Sequence, residues 1–309
     1  DIYMSISVGI ALATYNGESF LNEMLNSIEK QTYSNFMIHI CDDGSSDKTL
    51  EIIRGHNLFL KNKIQIHLTS GGNGAMRNFR RTLSYCTEEF IALCDQDDYW
   101  VSDKLEKMLQ KFEGKDSNIP ILVFSDLQIV DGSLNQIHAS FFTSSSKSSL
   151  SKKPQDFFVN NHIPGCAMLF NSSAKKCFEP IPDNVKMHDW WIAYMVSFFG
   201  EIVYLDEPLI KYRQHSNNTI GAPGFYRHSI LLSEINSIKH VPYALHNSRH
   251  MLALLKEAVN IKKTQFPLNP DGEYFWHCVN GGVLSRFRLF RKSHSGERYL
   301  MSLLTWCLL

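Results

Sequence analysis

The chain has 309 residues, of which 44% are hydrophobic, enough for a sizeable core in one large or two modest domains. Lysine plus arginine and aspartate plus glutamate balance at 31 each, so no net charge favours nucleic acid or an acidic polymer. No apolar run reaches the roughly 18–20 residues of a membrane-spanning helix. The opening residues lack a signal-sequence pattern, and the seven cysteines favour reduced thiols. We therefore expect a cytoplasmic α/β protein.

Strand-like and helix-like segments alternate along the first part of the chain. Apolar runs typical of buried strands cover residues 6–13, 36–41, 64–68 and 90–94. Helical spacing of apolar residues follows each run, at residues 20–28, 50–53, 75–86 and 104–112. This alternation predicts a mostly parallel sheet with right-handed crossovers and helices on both faces.

Polar residues follow the predicted strands at the points where these end. Tyr15, Asp43, Gly74 and residues 95–98 all lie at strand ends or in the next loop. Ligands of parallel sheets bind outside the carboxyl ends of the strands. One pocket can therefore gather these side chains.

Three carboxylates lie within four residues after the fourth strand: Asp95, Asp97 and Asp98. Packed carboxylates repel one another, and at the end of a buried strand they need a compensating cation. Hard oxygen ligands suit Mg²⁺ or Mn²⁺, which bind through one or two carboxylates and the phosphates of a substrate. The alternative is an acidic loop that only caps the next helix.

The second part of the chain has a less regular pattern. Strands are predicted at residues 121–130 and 165–170, a helix opens at residues 187–191, and residues 202–205 and 209–212 predict a closing hairpin. The polar residues 143–153 form either a solvated loop or a flap over substrate. Helical spacing prevails after about residue 221, so we expect one domain over residues 1–220 and a helical region over 221–309.

The last thirty residues carry five basic residues against one acid, interleaved with aromatic and aliphatic side chains. Such an amphipathic segment can lie in a membrane interface. Ordinary packing on its own domain explains it equally well, and such helices also allow a homodimer.

Five motifs occur together: residues 13–17, 42–47, 73–79, 95–100 and 188–191. In this order, over about residues 5–220, the set resembles glycosyltransferase family 2, whose members are inverting enzymes of the GT-A fold that use nucleotide-sugar donors. The form of the fourth and fifth motifs looks most like bacterial rhamnosyltransferases of cell-wall, capsule and O-antigen synthesis. The resemblance implies a GT-A domain with a nucleotide-binding half at about 1–115 and an acceptor half at about 116–220.

The resemblance also implies which residues bind the nucleotide. Thr14 and Tyr15 match the turn that touches base and ribose. Asp43, with Asp42 beside it, matches the acid that hydrogen-bonds the pyrimidine ring. Arg77 matches a position that lies against the nucleotide, and a cation near a diphosphate also makes independent sense.

The family's DxD pair matches Asp95 and Asp97. It implies that Asp95 reaches the ribose side and that Asp97 holds Mg²⁺ or Mn²⁺ at the diphosphate, with Asp98 as a third acidic neighbour. Some family members place a metal or diphosphate ligand where His215 lies, and neutral imidazole is suitable. A structural histidine is the alternative.

Asp189 matches the general base of the family. An acceptor hydroxyl must lose its proton as it attacks the anomeric carbon, and a carboxylate can take it. Without the resemblance, helix capping would be the favoured role of Asp189. His188 is expected to support it, and Trp190 and Trp191 are either acceptor contacts or core residues.

The expected reaction moves a sugar to a growing glycan or lipid-linked oligosaccharide, with rhamnose from dTDP-rhamnose as the first candidate and a UDP-sugar as the second. Such an acceptor would place the enzyme peripherally at the inner face of the plasma membrane. Two other classes stay open at this point. A sugar nucleotidyltransferase would also use Mg²⁺, although residues 14–19 lack the basic group of its usual loop, and a binding module would need no base.

Overall fold

The computed structural model describes residues 6–69, 71–144, 152–159, 161–215 and 241–292. Its strands are β1 Val8–Thr14, β2 Phe36–Asp42, β3 Ile64–Leu68, β4 Phe90–Cys94, β5 Tyr99–Trp100, β6 Ile121–Val130, β7 Gln136–His138, β8 Met168–Asn171 and β9 Glu201–Arg213. Its helices are α1 Leu21–Glu29, α2 Thr49–Gly55, α3 Asn57–Leu60, α4 Gly74–Tyr85, α5 Lys104–Gln110, α6 Phe141–Ser144, α7 Pro154–Val159, α8 Ser172–Phe178, α9 His188–Phe199, α10 Val241–Lys262, α11 Pro270–Asn280 and α12 Val283–Lys292.

The strands form one mixed sheet in the order β3-β2-β1-β4-β8-β6-β9-β5, with β7 paired to β6. Strands β1 to β4 pair in parallel, as the alternation of strands and helices predicted. Strand β8 runs antiparallel to both β4 and β6, and so joins this parallel half to the parallel pair β6 and β9. The sheet is therefore mostly parallel, with a reversal in the middle.

Apolar runs explain the parallel half. Every residue of β4 is buried, and Leu21, Met24, Leu25 and Ile28 of α1 are fully buried at helical spacing. Helix α1 thus covers the sheet with one face. Helix α9 is apolar on nearly all sides and ten of its twelve residues are buried, which fits a helix enclosed by other elements.

Two sequence predictions about the second half are wrong. Residues 202–205 and 209–212 do not form a hairpin: they belong to the single strand β9, whose pairing with β6 shifts register beside Asp126. An irregularity inside one strand interrupts the apolar pattern much as a turn does. Residues 165–167 form a 3₁₀ turn ahead of β8 instead of the start of a strand. Of the predicted polar loop at 143–153, residues 145–151 lie outside the described residues.

The C-terminal helices pack against the same core. Phe275 of α11 is fully buried against Phe198 of α9, with ring centroids 5.1 Å apart. Asn269 caps α11 by accepting the Gly272 N–H at 2.7 Å. Within the described residues, no helix combines the length and apolar character required to cross a bilayer. The predicted membrane contact of the tail stays a prediction, since residues 293–309 lie outside the described part.

Candidate active site

A cavity of about 920 Å³ opens where β1 and β4 end, and the 3₁₀ turn and the start of α9 form its far wall. Nine residues singled out from the sequence line it: Thr14, Tyr15, Asp43, Asp95, Asp97, His188, Asp189, Trp190 and His215. Residues up to 201 positions apart thus meet in one space. The rule that ligands bind at the carboxyl ends of parallel strands predicts this position.

Four predicted site residues are not part of the cavity lining: Asp42, Arg77, Asp98 and Trp191. Arg77 is exposed on α4, and its predicted contact with the nucleotide stays a prediction. Trp191 is fully buried and its indole N–H donates to the Phe178 carbonyl at 2.9 Å, which makes it a core residue rather than an acceptor contact. Trp190 is half-buried and donates to the Phe157 carbonyl while its ring reaches the cavity.

The first acidic turn, after β2, is fully hydrogen-bonded. Asp42 accepts from the Thr14 hydroxyl at 2.8 Å and from the Ser45 hydroxyl at 2.6 Å. Its other oxygen accepts the backbone N–H groups of Ser45 and Gly44. Asp42 therefore fixes the turn and lies outside the cavity lining, whereas its neighbour Asp43 is part of it.

Asp43 points into the cavity from the same turn. Its carboxylate accepts the side-chain and backbone N–H groups of Asn73 at 2.7 and 2.9 Å and the Gly74 N–H at 2.9 Å. Burial opposes its ionisation, but these donors more than offset that cost and lower its pKa. Asp43 is thus a pre-oriented hydrogen-bond acceptor at the start of α4.

A residue that the sequence reasoning missed holds the first loop in place. The Gln96 amide accepts the backbone N–H of Tyr15 and donates to the Tyr15 carbonyl, both at 3.0 Å. The tyrosine ring itself is 56% exposed and can stack on a planar ligand. A glutamine between two aspartates gives no sequence signal for this role, because its partner lies 81 residues away.

The second acidic turn, after β4, is short of donors. Burial, and then the neighbouring Asp97 and Asp189 carboxylates, raise the pKa of Asp95 to about 7. Asp98 is fully buried, and burial, followed by the Asp97 and Asp95 carboxylates, raises its pKa well above the ordinary value. One of its oxygens accepts the Arg213 N–H at 3.2 Å, and the other has no hydrogen-bond partner among the described residues.

Two buried cations lie beneath this turn. The Arg213 guanidinium donates to the Asp97 carbonyl at 2.8 Å and pairs with Glu23 at 2.5 Å. Lys104 is fully buried, donates to the Cys166 carbonyl at 3.1 Å and lies 3.4 Å from the Trp100 ring centroid. Burial lowers its pKa to about 8. No local pattern distinguishes Lys104 from any other lysine on a helix.

A divalent cation fits the rim of this turn. The His215 Nε2 and the Asp97 Oδ2 are 2.8 Å apart, and neighbouring ligands around an octahedral Mg²⁺ are about 2.9 Å apart. The Asp97 carboxylate and the His215 imidazole are donors suited to Mg²⁺ or Mn²⁺, and a cation would offset the repulsion that, after burial, raises the pKa of Asp95. The residues present thus suit such an ion.

Asp189 faces the second acidic turn from the start of α9. It is the second helical residue and not the N-cap, and it accepts the Trp190 N–H at 2.7 Å. Burial raises its pKa to about 6, against backbone N–H groups of Trp190 and Gly165 that favour the ionised form. A carboxylate with this pKa is poised to take a proton near neutral pH. Gly165 leaves access to it, because a Cβ there would come within 3.3 Å of Asp189.

His188 lies beside Asp189 on the cavity wall, 4% exposed and stacked on Phe79 with ring centroids 4.1 Å apart. Both ring nitrogens are buried without a hydrogen-bond partner among the described residues. Burial lowers the pKa of His188 to about 3, so the imidazole is neutral. A buried polar group without a partner is costly, and a bound ligand or water can supply the missing hydrogen bond.

Comparison with known proteins agrees with this geometry. Residues 10–178, more than half of the chain, match "Glycosyl transferase family 2", and the chain belongs to that family. It is 29% identical to the dTDP-rhamnosyl transferase RfbG of Shigella flexneri over 68% of this chain and 74% of that protein. It is also 33% identical to the UDP-Glc:alpha-D-GlcNAc-diphosphoundecaprenol beta-1,3-glucosyltransferase WfgD of Escherichia coli. That match is shorter and spans 33% of this chain and 39% of that protein.

Solved structures show the same architecture. TarS 1–349 of S. aureus in complex with UDP superposes with a TM-score of 0.55 at 16% identity, over 98% of this chain and 89% of that one. The mannosyltransferase PcManGT from Pyrobaculum calidifontis, in complex with GDP-Man and Mn²⁺, gives 0.51 at 15% identity, over 97% and 86%. The fold is thus the GT-A fold, and the chain is a glycosyltransferase that acts on a nucleotide sugar. Of the three classes that the sequence left open, the transferase is confirmed.

Proposed function

We propose that the protein is a metal-dependent inverting glycosyltransferase in which Asp189 is the general base. The observation that supports this most strongly is the shared cavity: Asp189 on one wall faces Asp95 and Asp97 on the other. A donor whose diphosphate lies at Asp97 would present its sugar toward Asp189. The reaction is then a single displacement at the anomeric carbon.

In this displacement the acceptor oxygen forms a bond to the anomeric carbon as the bond to the diphosphate oxygen breaks. Asp189 takes the acceptor proton, which the raised pKa of its carboxyl favours. Asp97, Asp95 and His215 would hold Mg²⁺ or Mn²⁺, which when bound offsets the negative charge that develops on the leaving diphosphate. The attack comes from the face opposite the diphosphate, so the product has inverted configuration.

The nucleotide would lie on the side of the cavity formed by the loops after β1 and β2. Tyr15 offers an exposed ring fixed by Gln96, and Asp43 offers carboxylate oxygens that a ring N–H of a pyrimidine can reach. On the other side, the unpartnered nitrogens of His188 would hydrogen-bond a sugar hydroxyl. Trp190 is placed to contact the acceptor.

Rhamnose from dTDP-rhamnose is the first candidate for the donor, because the Shigella relative covers two thirds of the chain. A UDP-sugar is the second candidate, supported by the shorter match to the glucosyltransferase. The acceptor would be a growing glycan on a lipid carrier. Contact with the membrane through the C-terminal helices and a homodimer are further parts of the proposal.

The test is thermal unfolding with dTDP, UDP and GDP, each with and without Mn²⁺, followed by turnover assays with the matching sugar donors. A ligand at 100 times its Kd adds about 2.7 kcal/mol to the free energy of unfolding, which is readily measured. Stabilisation by dTDP with Mn²⁺ and release of dTDP from dTDP-rhamnose would support the first donor. The same results with UDP would favour the second. No stabilisation by any nucleotide would contradict the proposal, as would a product that keeps the donor's anomeric configuration.

A further inference from the structure

A second cluster of metal-ligating side chains lies away from the cavity, on the sheet face that α4 covers. It consists of His39 from the middle of β2, Cys86 directly after α4, and Glu88 just before β4. One nitrogen, sulfur or oxygen atom from each residue lies within 4.8 Å of the other two. The active-site cavity opens at the carboxyl ends of the strands, whereas Glu88 precedes the amino end of β4.

We propose that His39, Cys86 and Glu88 form a binding site for one zinc ion, separate from the active site. Zn²⁺ takes imidazole nitrogen, thiolate sulfur and carboxylate oxygen in tetrahedral geometry. Around a tetrahedral zinc ion these ligand atoms are roughly 3.3–3.8 Å apart. The three ligand atoms lie within 4.8 Å of one another, up to about 1 Å more than that spacing, so side-chain rotations would have to draw them together around an ion. A thiol and an imidazole select against Mg²⁺, which prefers oxygen ligands.

The hydrogen bonding of the cluster is incomplete. The His39 Nε2 and the Glu88 Oε1 are 2.8 Å apart, but the His39 Nδ1 and the Glu88 Oε2 are buried without a partner among the described residues. His39 is only 4% exposed and Cys86 is fully buried. Unsatisfied buried polar atoms are rare in native proteins, and an ion or a water is the usual explanation.

The surroundings leave space for Glu88 to turn inward. A Cβ at Gly9 of β1 would lie 2.4 Å from the Glu88 Oε2 and 3.4 Å from the Cys86 Cβ. The missing side chain of Gly9 therefore makes the room that the carboxylate occupies. His67 stacks near His39 with ring centroids 6.0 Å apart, and its Nε2 is also buried without a partner among the described residues. Water held by His67 would complete the four ligands.

An ion at this position would tie together β2, β4 and the end of α4. His39 of β2 lies 49 residues before Glu88, whereas Cys86 and Glu88 lie in the loop that joins α4 to β4. The Asn78 side chain of α4 already links to β2 by donating to the Cys41 carbonyl at 3.0 Å. Zinc would therefore stabilise the nucleotide-binding half without taking part in sugar transfer. Binding at this site should raise the unfolding temperature of the metal-free protein when Zn²⁺ is added, but not when Mg²⁺ is added.

The experiment titrates the metal-free protein with Co²⁺ alone, in a phosphine reductant that does not chelate, and follows the thiolate-to-cobalt charge-transfer absorption. Wild type should bind one equivalent with this band, and Zn²⁺ should remove it. The band should vanish in Cys86→Ser and persist in Cys166→Ser. Cys166 is the matched control, because its equally buried thiol lies beside Asp95 and Asp98, where cobalt could also bind.

Glu88→Gln keeps an oxygen that can accept a hydrogen bond from His39 and removes the negative charge. It provides a second test in case the Cys86→Ser protein does not fold. We expect its zinc affinity, measured by competition with a chromophoric chelator, to fall by about tenfold or more. Absence of the band in wild type would overturn the proposal and leave a hydrogen-bonded His39–Glu88 pair only. A band lost in Cys166→Ser instead of Cys86→Ser would also overturn it.

Discussion

The two acidic turns of the cavity are alike in sequence and opposite in physical state. After β2, Asp42 and Asp43 each accept several hydrogen bonds, and those to Asp43 lower its pKa despite burial. After β4, burial and repulsion between carboxylates raise the pKa of Asp95 and Asp98. The carboxylates of the first turn have their hydrogen bonds satisfied by the protein itself. The carboxylates of the second turn have too little positive charge around them to offset their repulsion.

The two turns differ because recognition of a ligand and chemistry on it place different demands on a carboxylate. Groups that only need to recognise a ligand can be fixed in advance by the protein's own donors. In the proposed function, the carboxylates of the second turn would meet a cation and a diphosphate, and they must keep hydrogen-bonding and charge capacity free for these ligands, at a cost in folding stability. The positive charges of the buried Lys104 and Arg213 reduce this loss of folding stability, and neither side chain lies in the cavity.

The largest expected effect is at Asp189, the proposed general base. Asp189→Asn removes the proton acceptor but keeps the size of the side chain, so kcat should fall by about 10²- to 10⁴-fold. Donor affinity, measured by calorimetry with Mn²⁺, should stay close to that of wild type. The control is Asp183→Asn, which changes an exposed aspartate paired with Arg80 at the surface. Unchanged turnover in Asp189→Asn would remove this residue from the mechanism.

The pH dependence tests the same group without mutation. The base must be ionised, and burial raises the pKa of Asp189 to about 6. The value of kcat/KM should therefore be constant above about pH 6 and fall about tenfold per pH unit below it. A profile that stays flat down to pH 5, at saturating Mn²⁺, would show that another group sets the rate.

Asp97→Ala tests whether the second turn binds a metal ion. Loss of this carboxylate, and of its contact with His215, should weaken Mn²⁺-dependent binding of the nucleoside diphosphate by at least about 10- to 100-fold. Binding measured in EDTA should change much less. Equal affinities of the variant and wild type with Mn²⁺ would exclude Asp97 as a ligand.

The smallest effects are on stability, and the two turns should respond in opposite directions. Asp42→Asn replaces one oxygen of a saturated carboxylate by a donor and should cost about 1–3 kcal/mol. Asp98→Asn keeps an acceptor for the Arg213 N–H and removes a buried charge, so its free energy of unfolding in EDTA should equal or exceed that of wild type.

The sign of the pH effect follows from the raised pKa of Asp98. Ionisation is harder in the folded state, so wild type loses stability relative to Asp98→Asn as the pH rises above about 4. Chemical denaturation at pH 4 and pH 8 measures this difference. A variant that is less stable than wild type at both values would show that the Asp98 charge is well compensated.

Local signals in the sequence determined much of the nucleotide-binding half. Uninterrupted apolar runs gave β1 to β4, and the alternation with helices gave their parallel pairing and the edge at which ligands bind. The motifs identified Thr14, Tyr15, Asp43, Asp95 and Asp189 as residues of one site, and all of them line the cavity. The strands and their pairing could be predicted because strand pattern is a property of a few neighbouring residues, while the roles of the five site residues stay predictions.

Only the tertiary structure decided the rest. The reversal at β8, the continuity of β9 and the burial of Trp191 depend on which elements pack together, and no local pattern records that. The cysteine spacing likewise gave no sign of the cluster of Cys86 with His39 and Glu88, because His39 comes from a strand 49 residues before Glu88. Side-chain chemistry is written in the sequence, but burial and the distance to a partner set its charge state and role, and both arise only when the chain is folded.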